Sequence, residues 1–422
     1  MSEKLTLRNE WVAVAGLTLA ALVIRLVYVL TLGDTVHWGD EAEYHGIAVN
    51  LISGKGYSYF RGPRFTLAPT AYRMPALPVA LAAVYWLTGP SLLAARIFGA
   101  LLGGALVPIA YLIAIELDMA RNARIISCAI LAFYPYYIFA AGAVYPVTMS
   151  ALLVAIASLL LIKGANRISI RYEVVSGLVM GAGTLAFGHI IGALPFVLGW
   201  VIWNKRSEKR VGIFAAITLM FSFLVIVTPW MLRNKIIMGK ALLSTALPYN
   251  LYVANLPQAR WNSGSRIMFM EPTEIKRQAL EMSESEASGL YTKLALRQII
   301  DNPSRFVILS LGRAINFWRF YPNPVSRDVS LLEKLVGCAT YGLILLLAIV
   351  WFILPDGRKR WRRSSLLLGY PLGAMLIAMF SVSIDRYRLP YDVYLIVFAG
   401  AAIQNLGVRL LGKRSYGKEI NV

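Results

Sequence analysis

Asp40 and Glu41 are adjacent carboxylates directly after Gly39, at the head of the run Gly39-Asp40-Glu41-Ala42-Glu43-Tyr44-His45. They follow the first long apolar stretch closely and open a segment with helical spacing, Ala42, Ile47, Ala48, Leu51 and Ile52 against Glu43, Tyr44, His45 and Asn50. Acids at a helix start have an ordinary use, because they complement the helix dipole and cap free amides. Two chemical uses stand beside it. One carboxylate can act as general base on an acceptor hydroxyl, or the pair can hold a divalent cation through oxygen ligands. Glu43 and His45 keep a metal in play, although no spacing here resembles a zinc site.

Arginines form the second group: Arg61, Arg64 and Arg73 after the acidic run, Arg233 after Pro229-Trp230, and Arg386 and Arg388 late in the chain. A guanidinium grips two phosphate oxygens at once and keeps its charge. Snorkelling to lipid headgroups is the competing explanation. Acids and arginines on one face carry more meaning than either alone. They are what transfer from a phosphate-linked lipid donor requires, a base for the acceptor and cations for the departing phosphate. His189, in an apolar turn, reads as a packed histidine, and Trp38, Tyr85, Trp86, Trp230 and Trp318 read as interface anchors. There is no phosphate-binding glycine loop, nucleophile elbow or dinucleotide fingerprint.

The elements that position these residues are membrane spans. Hydrophobic residues make up 58% of the 422 and charged residues only 15%, which places the chain in the membrane class. Apolar runs such as Leu92 to Ile115, Val211 to Trp230 and Leu335 to Leu354 reach or approach the roughly 20 residues that cross a bilayer as helix. The formal charge of +20 comes from lysines and arginines that punctuate the apolar runs, a topology signal and not a nucleic-acid face. Cys128 and Cys338 lie far apart and inside spans, so neither a disulfide framework nor a metal spacing is present. Trp11 to Leu32 is long for a signal peptide and lacks a cleavage motif, so it reads as a retained first span.

Basic clusters at Arg121 and Arg124, at Lys163, Arg167 and Arg171, at Lys205 to Arg210, at Arg358 to Arg363 and in the tail then lie in the cytoplasm. About ten spans follow: Trp11 to Leu32, Leu92 to Leu117, Ile125 to Ala141, Val147 to Ile162, a hairpin from Val174 to Trp203 that is marginal for two crossings, Val211 to Met231, Leu331 to Leu354, Leu366 to Ser383 and Tyr391 to Leu406. The expected division is a cytoplasmic tail and first span (1–32), a first outer loop with the acidic motif and interfacial helices (33–91), a bundle (92–231), a second outer loop with an interfacial helix (232–330), C-terminal spans (331–408) with a short outer loop at 384–390, and a cytoplasmic tail (409–422). Met74 to Leu87 is too short and proline-rich for a span, and Asn302 to Phe320 carries three arginines, so both read as interfacial.

Four motifs together resemble the membrane glycosyltransferases of the GT-C fold, in particular the bacterial protein-mannosyltransferase and aminoarabinose-transferase group. They are Gly39 to Tyr44; Tyr72-Arg73-Met74-Pro75-Ala76-Leu77-Pro78 with Tyr85-Trp86-Leu87-Thr88-Gly89 and Leu93 to Arg96; Thr228-Pro229-Trp230-Met231-Leu232-Arg233-Asn234 with Tyr249-Asn250-Leu251-Tyr252; and Arg386-Tyr387-Arg388-Leu389-Pro390. The resemblance implies an all-α integral membrane protein of the bacterial inner membrane. It also implies inverting transfer of a sugar from a polyprenyl phosphate to a glycan, lipid or protein acceptor on the outer face. On that pattern Asp40 is the acid-base residue and Glu41 its neighbour in the site. Arg73, Arg233, Arg386 and Arg388 become donor-phosphate candidates, and Tyr44, His45, Tyr72, Asn250 and Tyr252 acceptor or sugar contacts. The chain departs from the group in having Arg73-Met74 where an acid-lysine pair precedes the proline, and no carboxylate in Val144-Tyr145-Pro146-Val147-Thr148. A transporter or flippase of a lipid-linked sugar is the rival reading, sharing spans and arginines without needing a base; a non-enzymatic envelope subunit is a third.

Overall fold

The computed structural model describes residues 2–62, 65–165, 169–205, 208–325 and 328–418, with side chains from 8 to 410 in those segments; Arg64, Arg167 and Arg206 lie outside them. Lipid leaves no backbone group to water, so the apolar runs are helical. Among the described residues seven helices are long and apolar enough to cross a membrane: Arg8–Leu32, Leu92–Glu116, Val147–Gly164, Lys209–Met238, Leu331–Ile353, Pro355–Phe380 and Leu389–Leu410. Arg121–Ala132 and Pro135–Gly142, bent by 45° at the break between them, make an eighth crossing if the pair is counted as one span. Pro135 explains the break, since it cannot donate a helical hydrogen bond and forces Tyr134 out of helical geometry, to φ −68 and ψ 113.

The expected ten spans therefore become seven or eight. The difference lies in the Val174 to Trp203 hairpin, which forms helices Arg171–Ala186 (16 residues) and Gly188–Asn204 (17 residues). At 1.5 Å per residue each is about 25 Å long, short of a hydrocarbon core of about 30 Å. Close packing holds the hairpin in place. A Cβ on Gly177 would sit 2.4 Å from the Leu219 carbonyl oxygen, and one on Gly373 would sit 2.3 Å from the Gly192 carbonyl. Only hydrogen at these positions lets Lys209–Met238 and Pro355–Phe380 approach the two halves so nearly.

The basic loops converge on one end of the bundle. Arg360 donates to the Leu117 and Asp118 carbonyls, Arg363 pairs with Asp118, Arg362 donates to the Asn204 carbonyl, Lys205 pairs with Glu173, and Arg124 with Glu10. Loops distant in sequence thus share one face, as alternating crossings require. The opposite end carries the remaining polar segments: Gly39–Ile52, an antiparallel pair Ser58–Arg61 and Thr66–Pro69 in register Ser58 to Pro69, Ala76–Thr88, Ala246–Ala254, Thr273–Glu281, Glu284–Asp301 and Pro303–Phe317. Ala76–Thr88 has 13 residues and leaves Trp86 and Leu87 open, and Pro303–Phe317 exposes Val307, Ile308, Leu311 and Ile315. Short helices with open apolar stripes are suited to the membrane interface.

Candidate active site

Asp40 stands in the first turn of Gly39–Ile52, whose start is fixed by Glu41. Trp38 adopts extended backbone at the N-cap (φ −132, ψ 141), and the Glu41 carboxylate accepts from the amides of His37 (2.9 Å) and Trp38 (3.3 Å). The same carboxylate accepts from the Val144 amide at 3.0 Å and pairs with Arg96 at 3.0 Å, both side chains being fully buried. Arg96 in turn donates to the carbonyls of Gly33, Thr35 and Gly142. Glu41 and Arg96 thereby tie the end of the first span, the head of the Asp40 helix and the loop at Val144 into one knot. Asp40, one position earlier, is left facing the other way.

It faces two guanidiniums. Arg73 Nη2 lies 2.8 Å from Asp40 Oδ1 and Arg386 Nη1 lies 2.6 Å from Asp40 Oδ2, while Arg73 Nε donates to Glu43 at 2.6 Å. Arg73 is held on an extended segment. The Tyr57 hydroxyl donates to its carbonyl, Ser244 donates to the Tyr72 carbonyl, the Thr245 amide donates to Ala71, and the buried Glu284 takes the Thr70 hydroxyl and the Ala71 amide. Arg386 sits on a 3-10 turn, Asp385–Tyr387, between the last two spans. Both guanidiniums rest on rings, Arg73 on Tyr44 and Tyr72, Arg386 on Tyr145 and Tyr387. These groups border a cavity of about 450 Å³ whose other walls are largely apolar, including Met74, Val147, Ile191, Met231, Leu247 and Ile377.

No protein-family profile and no curated protein sequence matches the chain. Solved structures do. The oligosaccharyltransferase of Archaeoglobus fulgidus in its apo form superposes with a TM-score of 0.59 at 16% identity, covering 97% of this chain and 52% of that one. The same organism's oligosaccharyltransferase AglB, in complex with an inhibitory peptide and a dolichol-phosphate, gives 0.54 at 15% identity over 96% and 52%. A third structure from this source, with Zn and sulfate, gives 0.52 at 15% identity over 95% and 51%. The chain spans about half the length of these relatives. It has the GT-C fold.

Within this GT-C bundle the candidate residues divide cleanly. Asp40, Tyr44, Tyr72, Arg73, Asn250 and Arg386 share the cavity. Glu41 does not, being buried against Arg96 behind the helix start. Arg233 lies off the cavity, where it donates to the Thr70 and Tyr57 carbonyls and stacks on Trp230. Arg388 is buried in an ion pair with Asp392 at 3.1 Å, over the Tyr341 ring. His45 shares a hydrogen bond of 2.9 Å with the Tyr85 hydroxyl, and Tyr252 packs on Tyr291. Glu41, Arg233, Arg388, His45 and Tyr252 thus lie outside the lining of this cavity. Each is occupied by protein partners.

Sequence reasoning passed over Tyr145 and treated His189 as simple packing. His189 stacks on Tyr387 with ring centroids 3.9 Å apart and also lines the cavity. No local pattern marks either residue, because each reaches the site through a turn whose direction depends on tertiary packing. Among the described residues no group of three His, Cys, Asp or Glu side chains is placed to hold a metal ion. Asp40 offers its oxygens to guanidiniums instead, and Val144-Tyr145-Pro146 contributes no carboxylate.

Burial drives the Asp40 carboxyl toward a higher pKa, but Arg73 and Arg386 outweigh it and hold the group below the usual carboxylate range. A depressed carboxylate adds stability that is present above its unfolded value and lost as pH falls through its folded one. The ionised form thus persists through neutral pH and into mild acid. Any activity that depended on the ionised Asp40 carboxylate would therefore show the acid limb of its kcat/KM profile below the ordinary aspartate value of about 3.9. A limb near neutrality in a pH-rate profile would assign that limb to a group other than Asp40. Burial raises the phenols of Tyr44 and Tyr72 despite Arg73 nearby, so both stay protonated and able to donate.

Proposed function

We propose that the chain is a glycosyltransferase that moves a sugar from a polyprenyl-phosphate donor to an acceptor hydroxyl or amine, with inversion, on the outer face of a bacterial cytoplasmic membrane. One observation carries the reading. A carboxylate clamped by two guanidiniums borders a partly apolar cavity at the end of the bundle opposite the basic loops. That end is the outer one by the positive-inside rule. The archaeal oligosaccharyltransferase with the same fold was solved with a dolichol-phosphate, which supports a lipid-linked phosphate as ligand class.

The arrangement suits one displacement. The acceptor heteroatom attacks the anomeric carbon as the bond from that carbon to phosphate oxygen breaks, and the electron pair leaves on the phosphate. Asp40 takes the acceptor proton. Arg73 and Arg386 then pair with the growing phosphate charge, and the products are glycosylated acceptor and polyprenyl phosphate. The apolar walls accommodate the first isoprene units. Arg233, with both terminal nitrogens committed to backbone carbonyls, serves to hold the segment behind Arg73.

In the free protein Asp40 occupies the guanidiniums that the phosphate would need. Arriving phosphate draws them off, and the released carboxylate becomes a stronger base. Arg386→Ala is therefore expected to raise the donor KM by about ten- to a hundredfold, as loss of a charge-assisted contact of about 1.5–3 kcal/mol implies. Donor-titration kinetics check this, and an unchanged KM removes Arg386 from the phosphate site. Because guanidiniums supply the positive charge, transfer is expected to survive excess EDTA, and chelator-sensitive activity restored by Mg²⁺ or Mn²⁺ would overturn that assignment. The deciding experiment incubates purified protein with labelled polyprenyl-phosphate sugars and follows release of polyprenyl phosphate. A flippase moves the intact donor and releases none.

A further inference from the structure

Arg25 lies within the first span, fully buried, and no carboxylate pairs with it among the described residues. A guanidinium at that depth is costly and calls for an explanation. Its partners are backbone oxygens: Ala21 on its own helix at 2.9 Å, Ala132 at 3.0 Å and Leu131 at 3.2 Å. The last two are carbonyls left open where Arg121–Ala132 stops at the Pro135 break, and an open carbonyl in lipid needs a donor. Gly103 provides the space, since a Cβ there would lie 2.8 Å from Arg25 Nε. Arg25 is thus the cap of a broken helix inside the membrane.

The break leads directly to the site. The Tyr134 hydroxyl donates to Asp392 at 2.8 Å. The Tyr137 hydroxyl donates to the Leu389 carbonyl at 2.8 Å and accepts from the Val393 amide at 3.1 Å. These bonds fasten the segment 389–393, immediately after the turn from which Arg386 reaches Asp40. We propose that Arg25 is a positioning residue for Arg386: by capping the break it sets Tyr134 and Tyr137, which hold the turn that aims the Arg386 guanidinium at the reacting phosphate. The proposal rests on the phosphate role assigned to Arg386 above. Arg25 never touches substrate and acts through two tyrosines.

The test compares Arg25→Met and Arg25→Lys in the full-length detergent- or nanodisc-reconstituted protein, with hydrogen exchange across 385–393 and donor kinetics as readouts. Arg25→Met is expected to lose protection at Val393 and neighbouring amides while the basic end stays protected, and to raise donor KM about tenfold with a smaller change in kcat. Lysine, which can still donate to the open carbonyls, is expected to restore part of both. If Arg25→Met does not fold, Arg25→Lys carries the comparison. In the Arg386→Ala background neither variant should raise KM further, because the group being aimed is gone. Unchanged protection at 389–393, a loss of kcat alone, or an additive effect with Arg386→Ala overturns the proposal. Lost protection with unaltered polyprenyl-phosphate binding upholds the positioning and refutes the phosphate role of Arg386 instead.

Discussion

Asp40→Asn is expected to lower transfer by about 10²–10⁴-fold, the range for removing a positioned general base, while leaving the protein folded and its grip on polyprenyl phosphate undiminished. Asparagine has nearly the shape of aspartate and can still accept a hydrogen bond, but it takes no proton. It also carries no charge to compete for Arg73 and Arg386, which stand 2.8 and 2.6 Å from the present carboxylate. Phosphate should therefore bind the variant at least as well as the wild type, in contrast to Arg386→Ala, where binding weakens. This opposition of sign distinguishes a base from a phosphate ligand more sharply than activity loss does. Quantifying polyprenyl-phosphate binding and product formation on the same preparation checks it. A folded Asn variant with full activity would remove Asp40 from the chemistry; one that loses phosphate binding in proportion to turnover would make Asp40 a binding group.

The architecture was largely readable in the sequence because lipid imposes strong rules. Apolar length marks the spans and basic loops mark one end, and the structure gathers Glu10, Lys163, Lys205 and Arg363 at that end. What length could not decide was the hairpin from 174 to 203. Its halves fall short of the bilayer, and their placement depends on glycine contacts with spans far away in sequence. The bend at Pro135 was equally hidden. A proline in an apolar run is compatible with a straight, kinked or broken helix, and the outcome depends on which donor meets the freed carbonyls. Here Arg25, more than a hundred residues earlier, is that donor.

The site was less legible for a related reason. Arginines that grip a ligand and arginines that cap backbone look alike in sequence. Arg73 and Arg386 meet at Asp40, whereas Arg96, Arg233 and Arg388 are absorbed by carbonyls, rings and acids inside the protein. Only the placement of chain ends and turns separates the two groups. Arg386 and Arg388 illustrate how narrow the difference is, because two residues along a tight turn reverse the direction of the side chain, one toward the cavity and one toward Asp392.

Glu41 offers the second large effect. Glu41→Gln keeps the size of the side chain and its capacity to accept from amides, but leaves Arg96 fully buried without a counter-charge. Breaking a buried pair on one side costs about 3–5 kcal/mol, so a marked fall in Tm and in the yield of folded protein is expected. Buried pairs can often be exchanged for apolar residues with little loss. This one should resist, since Arg96 satisfies the carbonyls of Gly33, Thr35 and Gly142 and Glu41 satisfies the amides of His37, Trp38 and Val144. Replacing both by leucine would orphan all six, at about 1–3 kcal/mol for each that stays dry. The double variant is therefore expected to be no more stable than the single ones, which thermal unfolding in detergent measures directly. Whatever Glu41→Gln protein does fold should keep a normal donor KM, because the cavity groups are untouched. A variant with wild-type Tm and no transfer would instead place the Glu41 charge in the reaction, and the knot around Arg96 would then be incidental to it.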